Sequence, residues 1–175
     1  MLIYSSSPLF SEGDITQKKD DVSKYNVGKD AAKRTYDDIV FDSVLEMRFY
    51  RDVVLPMYGS GEITNYELQK EYILQPAFTN ADGKKVKAIT YVADFYLEYS
   101  DGRKEVIDTK GCPDVTAKIK RKMFWYKFPE IPYYWKCYSG IDGGWVNYEY
   151  LQQQRKIRKK LKEQKENDKN GKKSK

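Results

Sequence analysis

The stretch Tyr91–Lys110, YVADFYLEY followed by SDG and RKEVIDTK, constrains the fold more than any other part of the chain. Both flanking runs are rich in aromatic and β-branched residues, which suit a pleated, half-buried strand. Ser100-Asp101-Gly102 between them reads as a three-residue hairpin loop, with glycine at the position that needs a left-handed backbone. Setting Tyr99 opposite Arg103 brings Asp94 opposite Asp108, with both side chains on one face and Cβ atoms about 5 Å apart. A two-residue loop at Asp101-Gly102 would instead send the two aspartates to opposite faces. Lys110, two residues beyond Asp108, shares its face.

The rest of the chain supplies the elements such a hairpin must pack against. From Phe41 to Gly61, FDSVLEMRFYRDVVLPMYGSG predicts a helix of about twelve residues, capped at Asp42 or Ser43 and ended by Pro56 and the following glycines. Its apolar face is Phe49, Tyr50, Val53 and Met57, and Glu46 falls on that same face, pointing a carboxylate inward. A strand is expected around Glu67–Leu74, and a helix over residues 115–128 with Ile119, Met123 and Tyr126 on its apolar side. IPYYWKCYS predicts a further strand, and Tyr148 to about Lys165 a basic terminal helix. Three segments follow: an arm over residues 1–22, a domain over 23–150, and a basic helix with a lysine-rich tail over 151–175.

The chain of 175 residues contains no histidine. That removes Ser-His-Asp and Cys-His nucleophilic centres, histidine zinc sites and histidine general bases. Two cysteines without a CxxC pair, Cys112 and Cys137, argue against a disulfide scaffold or a thiolate zinc site and read as interior or subsurface residues. Chemistry here must run on carboxylates, lysine, hydroxyls or a hard metal ion. No apolar run is long enough for a membrane span, so no membrane partner and a cytoplasmic location are expected. Residues 151–175 hold 11 Lys or Arg against 3 Asp or Glu, whereas the first 150 hold 21 against 23. The tail is basic and the body is nearly neutral. Such a tail suits nucleic acid, and it equally suits simple solubilisation.

Asp94, Asp108 and Lys110 therefore form the candidate site. Two carboxylates this close repel unless a cation lies between them, and Mg²⁺, with Mn²⁺ as a substitute, suits an oxygen-only donor set. Lys110 would orient a water or stabilise transition-state charge. The same spacing also fits solvated residues on the polar face of a hairpin, with Lys110 as an ion-pair partner. Glu46 fits a further metal-directed carboxylate or a salt-bridged helix residue. Metal-site carboxylates are expected to add little to packing, so Asp108→Asn should leave the fold intact. Lys118, Lys120, Arg121 and Lys122 follow the hairpin closely enough to reach flanking phosphates, and a solvated helix face is the alternative. Trp125, Trp135 and Trp145 read as core or interface residues.

FDSVLE, GEITNYELQ, YVADF, VIDTKG and the lysine-rich KIKRK segment, in that order, resemble a phage-encoded group of uncharacterised proteins assigned to the PD-(D/E)XK nuclease superfamily. The resemblance covers roughly residues 24–128. It implies a restriction-endonuclease-like α/β core with a central mixed sheet flanked by helices. Asp94 takes the first acidic position, Asp108 and Lys110 the (D/E)xK element and Glu46 the helical acid, with Asp94, Asp108 and Glu46 directed at the metal. Gln69 matches a recurring glutamine, which fits either a role beside the metal-bound water or satisfaction of a strand edge. Ala93 stands where the superfamily's name has proline. The resemblance further implies Mg²⁺-dependent hydrolysis of DNA, including branched recombination or replication intermediates, in the host cytoplasm. A homodimer fits this expectation. A non-catalytic DNA-binding protein that retains the fold, and a protein-interaction module, are the readings from other classes.

Overall fold

The computed structural model describes residues 30–173, so the expected arm over residues 1–22 lies outside the described residues. A short hairpin, β1 (Thr35–Tyr36) and β2 (Ile39–Val40), turns through Asp37 and Asp38, both with positive φ. Aspartate tolerates that region because its short side chain bonds locally. The next helix runs in three pieces: α1 (Val44–Phe49), a π turn (Tyr50–Val54) and α2 (Leu55–Gly59). It is longer than expected because Pro56 does not end it. The π turn shifts the bonding so that Leu55 N–H reaches the Tyr50 carbonyl, and proline sits in the first turn of the segment that follows.

Five strands form the central sheet: β3 (Ile63–Gln75), β6 (Ile89–Tyr99), β7 (Lys104–Thr109), β8 (Tyr133–Ser139) and β9 (Gly144–Asn147), in the order β3-β6-β7-β8-β9. Between β3 and β6 a small hairpin forms from β4 (Phe78–Thr79) and β5 (Lys85–Val86). The β7–β8 pair is parallel and the others antiparallel, so the sheet is mixed. The parallel crossover is α3 (Val115–Lys127), and the last element is α4 (Tyr148–Lys173). The hairpin has the expected register: Phe95 pairs with Ile107 and Glu98 with Lys104, while Tyr99 N–H bonds the Arg103 carbonyl and Gly102 takes φ +84°.

Two apolar clusters cover the two faces of this sheet. The first joins Phe49, Tyr50 and Val54 of the α1–α2 helix to Phe95, Leu97 and Ile107; the second joins Phe124 of α3 to Tyr91, Ala93, Val106, Tyr133 and Trp135. Full burial of a side chain such as Leu97 or Phe124 stabilises the fold by about 1.5–3 kcal/mol. Alternation along a strand should keep residues of one parity on one face. Yet Tyr91 and Ala93 lie in the second cluster while Phe95 and Leu97 lie in the first. On β3, Tyr66 and Leu68 pack on the first cluster, whereas Tyr72 and Leu74 belong to the second. Both strands change faces at one level, where Gln69 stands beside Asp94. Gln69 has φ +53°, and the pairing resumes with the same offset on either side, Leu68 with Phe95 and Lys70 with Ala93.

Helix α3 departs from expectation. Ile119 and Tyr126 are exposed, Tyr126 at 91%. The inward face is Ala117, Arg121, Phe124 and Phe128, spaced for one side of a helix. Arg121 can lie inward because its guanidinium meets Glu149, 2.5 Å away, and the Tyr133 carbonyl at 3.3 Å, and sits over the Trp135 and Trp125 rings. Helix α4 is also part of the fold from its first turns. Leu151 is buried and Arg158 forms a two-pronged pair with Asp142, so the core extends past residue 150. Cys137 is buried and Cys112 exposed, both as free thiols.

Candidate active site

The candidate residues meet where the β6–β7 ladder ends. Its last pair is Phe95 with Ile107, one step before Asp94 and Asp108. Because β6 changes faces at this level, the two aspartates do not meet as a simple cross-strand side-chain pair. The Asp94 N–H donates to Asp108 Oδ1 at 3.2 Å, while Asp94 Oδ2 accepts from the Thr109 N–H at 2.7 Å and its hydroxyl at 3.2 Å.

Asp108 is only 1% exposed and has four donors around it. Tyr91 Oη and the Asp94 N–H serve Oδ1; Tyr133 Oη at 2.6 Å and Lys110 Nζ at 3.1 Å serve Oδ2. The Tyr133 hydroxyl in turn accepts from the Trp135 indole at 2.9 Å. Burial, then the Asp108 charge, pushes the pKa of both tyrosines up, so both hydroxyls stay protonated donors. Asp108 therefore contributes to the packing of the second cluster, which corrects the expectation that it adds little to the fold.

Glu46 is buried on α1, as its place on the apolar side predicts. Ser43 caps the helix by accepting from the Glu46 N–H at 3.1 Å, and its hydroxyl donates back to the Glu46 carboxylate at 2.8 Å. This Ser-x-x-Glu arrangement is a capping box in its spacing, a signal that the sequence itself carries. Gln69 is exposed and its amide nitrogen lies 3.4 Å from Glu46 Oε2.

Charges act across the group. Burial raises the Asp94 pKa well above its ordinary value, reinforced by Asp108 and Glu46. Burial raises Glu46 too, against the hydrogen bond from Ser43. For Lys110, burial disfavours the charge, but Asp108, Asp94 and Glu46 together hold the pKa above the ordinary lysine value. The structure thus brings Asp94, Asp108, Lys110 and Glu46 into one electrostatic group with Gln69 at its edge. No three acidic side chains among the described residues are arranged as a ready-made metal cage.

The four basic candidates on α3 divide. Lys118 and Lys122 are exposed and Lys120 is half-buried, and none of the three forms an ion pair among the described residues. Arg121 is buried in its pairing with Glu149, so it is not on the solvent-facing lysine row. Tyr91, Tyr133 and Thr109 had no signal as site residues: their roles follow from the face change at Asp94 and from the parallel placement of β8.

The fold and site define an α/β domain with a mixed five-stranded sheet carrying a partly buried carboxylate–lysine group at the end of its central hairpin. The chain belongs to the DUF1064 family, proteins of unknown function, whose model matches residues 22–141. No curated protein and no solved structure matches the chain. Strand β9 and helix α4 lie beyond the matched residues. No helix among the described residues is long and apolar enough to cross a membrane.

Proposed function

We propose that this protein is a metal-dependent DNA endonuclease with the PD-(D/E)XK arrangement on a restriction-endonuclease-like core. The observation that carries the reading is the grouping of carboxylates around one half-buried lysine: Lys110 Nζ lies 3.1 Å from Asp108, whose Oδ1 accepts from the Asp94 N–H, and the Asp94 and Glu46 charges favour the charged lysine. Strained backbone at Gln69, beside that group, adds support, because such strain persists where the surroundings hold a functional geometry.

The donor set is oxygen-only, which fits Mg²⁺ or Mn²⁺ held through one or two carboxylates and water. Asp94 and Glu46 would hold the ion, since Asp108 already has four donors. When bound, the ion supplies a more acidic water and neutralises phosphate charge. Lys110 sits against the charge that develops on the phosphate, or orients the attacking water. Thr109 fixes the Asp94 carboxylate, and Gln69 and Ser43 fix that of Glu46. DNA backbone binding draws on the lysines of α3 and on the basic surface of α4.

The test is a panel of linear, nicked, flapped and four-way DNA substrates with Mg²⁺, Mn²⁺ or EDTA. Cleavage with either ion and none in EDTA is expected, abolished in Asp94→Asn. Undiminished cleavage by Asp94→Asn would place the chemistry elsewhere. One observation favours a second reading, a DNA-binding protein that keeps the fold without catalysis: the saturated hydrogen bonding of Asp108 makes it a structural carboxylate. That reading predicts salt-sensitive DNA binding and no cleavage of any substrate.

A further inference from the structure

On the far side of the second cluster, α3 and the first turns of α4 enclose a cleft of about 440 Å³. Its lining includes Trp125 from α3, Tyr134 from β8, Asn147 from β9, and Glu149 and Tyr150 from α4, with Arg121 beneath. With Tyr133 of β8, four aromatic residues therefore line one concavity. Trp125 and Tyr150 are each 45% exposed, although rings of this size usually bury more of their surface. Of the expected core or interface roles for the three tryptophans, Trp125 does not take the core one.

Two polar atoms of the same lining have no hydrogen-bond partner: Arg121 Nε, on a side chain only 8% exposed, and Asn147 Oδ1. One is a donor and the other an acceptor. Both atoms are shut off from solvent, so they stand behind the cleft wall, and what the cleft presents is aromatic surface, which suits a flat ring. Glu149 spends one oxygen on Arg121 and is 54% exposed, so it offers a further acceptor at the rim. The volume lies within the range of small-ligand sites.

The cations beside the cleft identify what carries the flat group. Lys122 precedes Trp125 by three positions on α3, and Lys118 precedes Lys122 by four, so the three side chains are neighbours along one exposed row. An aromatic platform continued by a row of lysines matches a strand whose base stacks while its phosphates run along the cations. In a duplex the bases are already stacked and paired, and entering the cleft would require flipping one out.

We infer that the α3–α4 cleft docks an unstacked base of single-stranded nucleic acid, with Trp125 as the stacking surface and Lys118 and Lys122 on the adjacent phosphates. As the substrate class of the nuclease proposed above it rests on that reading, and it selects DNA with a single-stranded segment over uninterrupted duplex.

The experiment is fluorescence anisotropy of the full-length protein in EDTA, with a labelled mixed-sequence single strand and the same strand as a blunt duplex. Trp125→Ala should weaken single-strand binding by roughly 5- to 150-fold, the range produced by loss of one base–aromatic stack, with duplex binding within about twofold of wild type. Trp125→Tyr should recover most of the loss, because it restores a ring. Tyr150→Ala should weaken single-strand binding in the same direction, a second readout that does not disturb the Arg121–Trp125 contact. A Lys118→Ala, Lys122→Ala double variant should weaken both substrates and flatten the salt dependence. Circular dichroism checks that each variant is folded.

Unchanged single-strand affinity in Trp125→Ala, equal losses on strand and duplex, or no recovery with tyrosine would each overturn the proposal. So would displacement of the strand by a free mononucleotide at the same concentration as by unlabelled strand. The nuclease reading fails separately. Tryptophan-dependent strand binding without Mg²⁺-dependent cleavage removes the nuclease and keeps the cleft, while cleavage with tryptophan-independent binding does the reverse.

Discussion

Two polar regions on the α3 side of the sheet are in opposite states. At the end of the β6–β7 hairpin, Asp108 has every hydrogen-bonding position occupied by Tyr91, Asp94, Tyr133 and Lys110. Across the second cluster, the α3–α4 cleft has Arg121 Nε and Asn147 Oδ1 with no partner at all. Tyr133 links them, since its hydroxyl serves Asp108 while its carbonyl accepts from Arg121. Charge alone therefore does not mark where a protein is incomplete. The acidic group is internally compensated apart from its excess of negative charge, and the cleft wall is nearly neutral but holds two enclosed polar atoms without a partner.

The largest expected effect breaks the closed side. Asp108→Ala leaves two buried tyrosine hydroxyls and a lysine without their acceptor, and should destabilise the protein by about 2–4 kcal/mol. Asp94→Asn keeps the shape, loses part of the Thr109 capping and relieves repulsion with Asp108 and Glu46, so its change should stay within about 1 kcal/mol. Urea unfolding of both variants measures the difference. Equal destabilisation would mean that the two aspartates share one role, against the contrast drawn from their hydrogen bonding.

Next in size is the open side. Arg121→Met keeps the volume of the side chain but removes its bonds to Glu149 and the Tyr133 carbonyl, and should cost about 2 kcal/mol, below the range for a fully buried pair because Glu149 regains water. Thermal unfolding at constant pH reads it. A neutral or stabilising result would show that the pairing across α3 and α4 sets geometry without contributing to stability.

A smaller and opposite effect belongs to Gln69. A left-handed backbone at a residue other than glycine costs roughly 1–2 kcal/mol. Gln69→Gly should therefore stabilise the fold slightly, by about 0.5–1 kcal/mol after allowing for the added freedom of the unfolded chain. Gln69→Val, branched at Cβ, should destabilise it. Cleavage should fall in both, since Glu46 loses its amide partner. Destabilisation by glycine would show that the side-chain bond outweighs the backbone strain.

These contrasts also separate what the sequence discloses from what it conceals. The hairpin register was legible because a three-residue loop with glycine at its end allows one pairing, and Asp94, Asp108 and Lys110 follow from it by counting. The face change at Asp94 was not, because it falls beside Gln69, whose backbone takes a conformation expected of glycine. Helix α1–α2 was readable in position and face but not in length, since a π turn that accommodates proline has no sequence signature. Arg121 looked like one more member of a lysine row. Its inward turn depends on Glu149, 28 residues later, and on aromatic rings brought together by the crossover. Local periodicity carries no record of such a partner.

The smallest expected effect concerns how α4 is held to form the cleft wall. Two arginine–carboxylate pairs join it to the body, with opposite exposures: Arg121 is buried and Glu149 exposed, whereas the Asp142 side chain is only 4% exposed and that of Arg158 40%. The Arg158 pairing, then the Ser139 hydroxyl, holds the Asp142 carboxyl below its ordinary value of 3.8. A carboxyl whose pKa is lower when folded contributes stability above its unfolded value and loses it as pH falls through the folded one. The contribution should therefore be complete at neutral pH and decline only below about pH 4. Asp142→Asn should lower the melting temperature modestly at pH 7, and the gap to wild type should narrow on acidification through that window. Arg158→Met should behave alike, because the shift depends mainly on the guanidinium. A gap that stays constant from pH 7 to pH 3 would mean that Asp142 acts through hydrogen bonds an amide can also make, and that α4 is docked by Leu151 and the Arg121 pair without help from this ion pair.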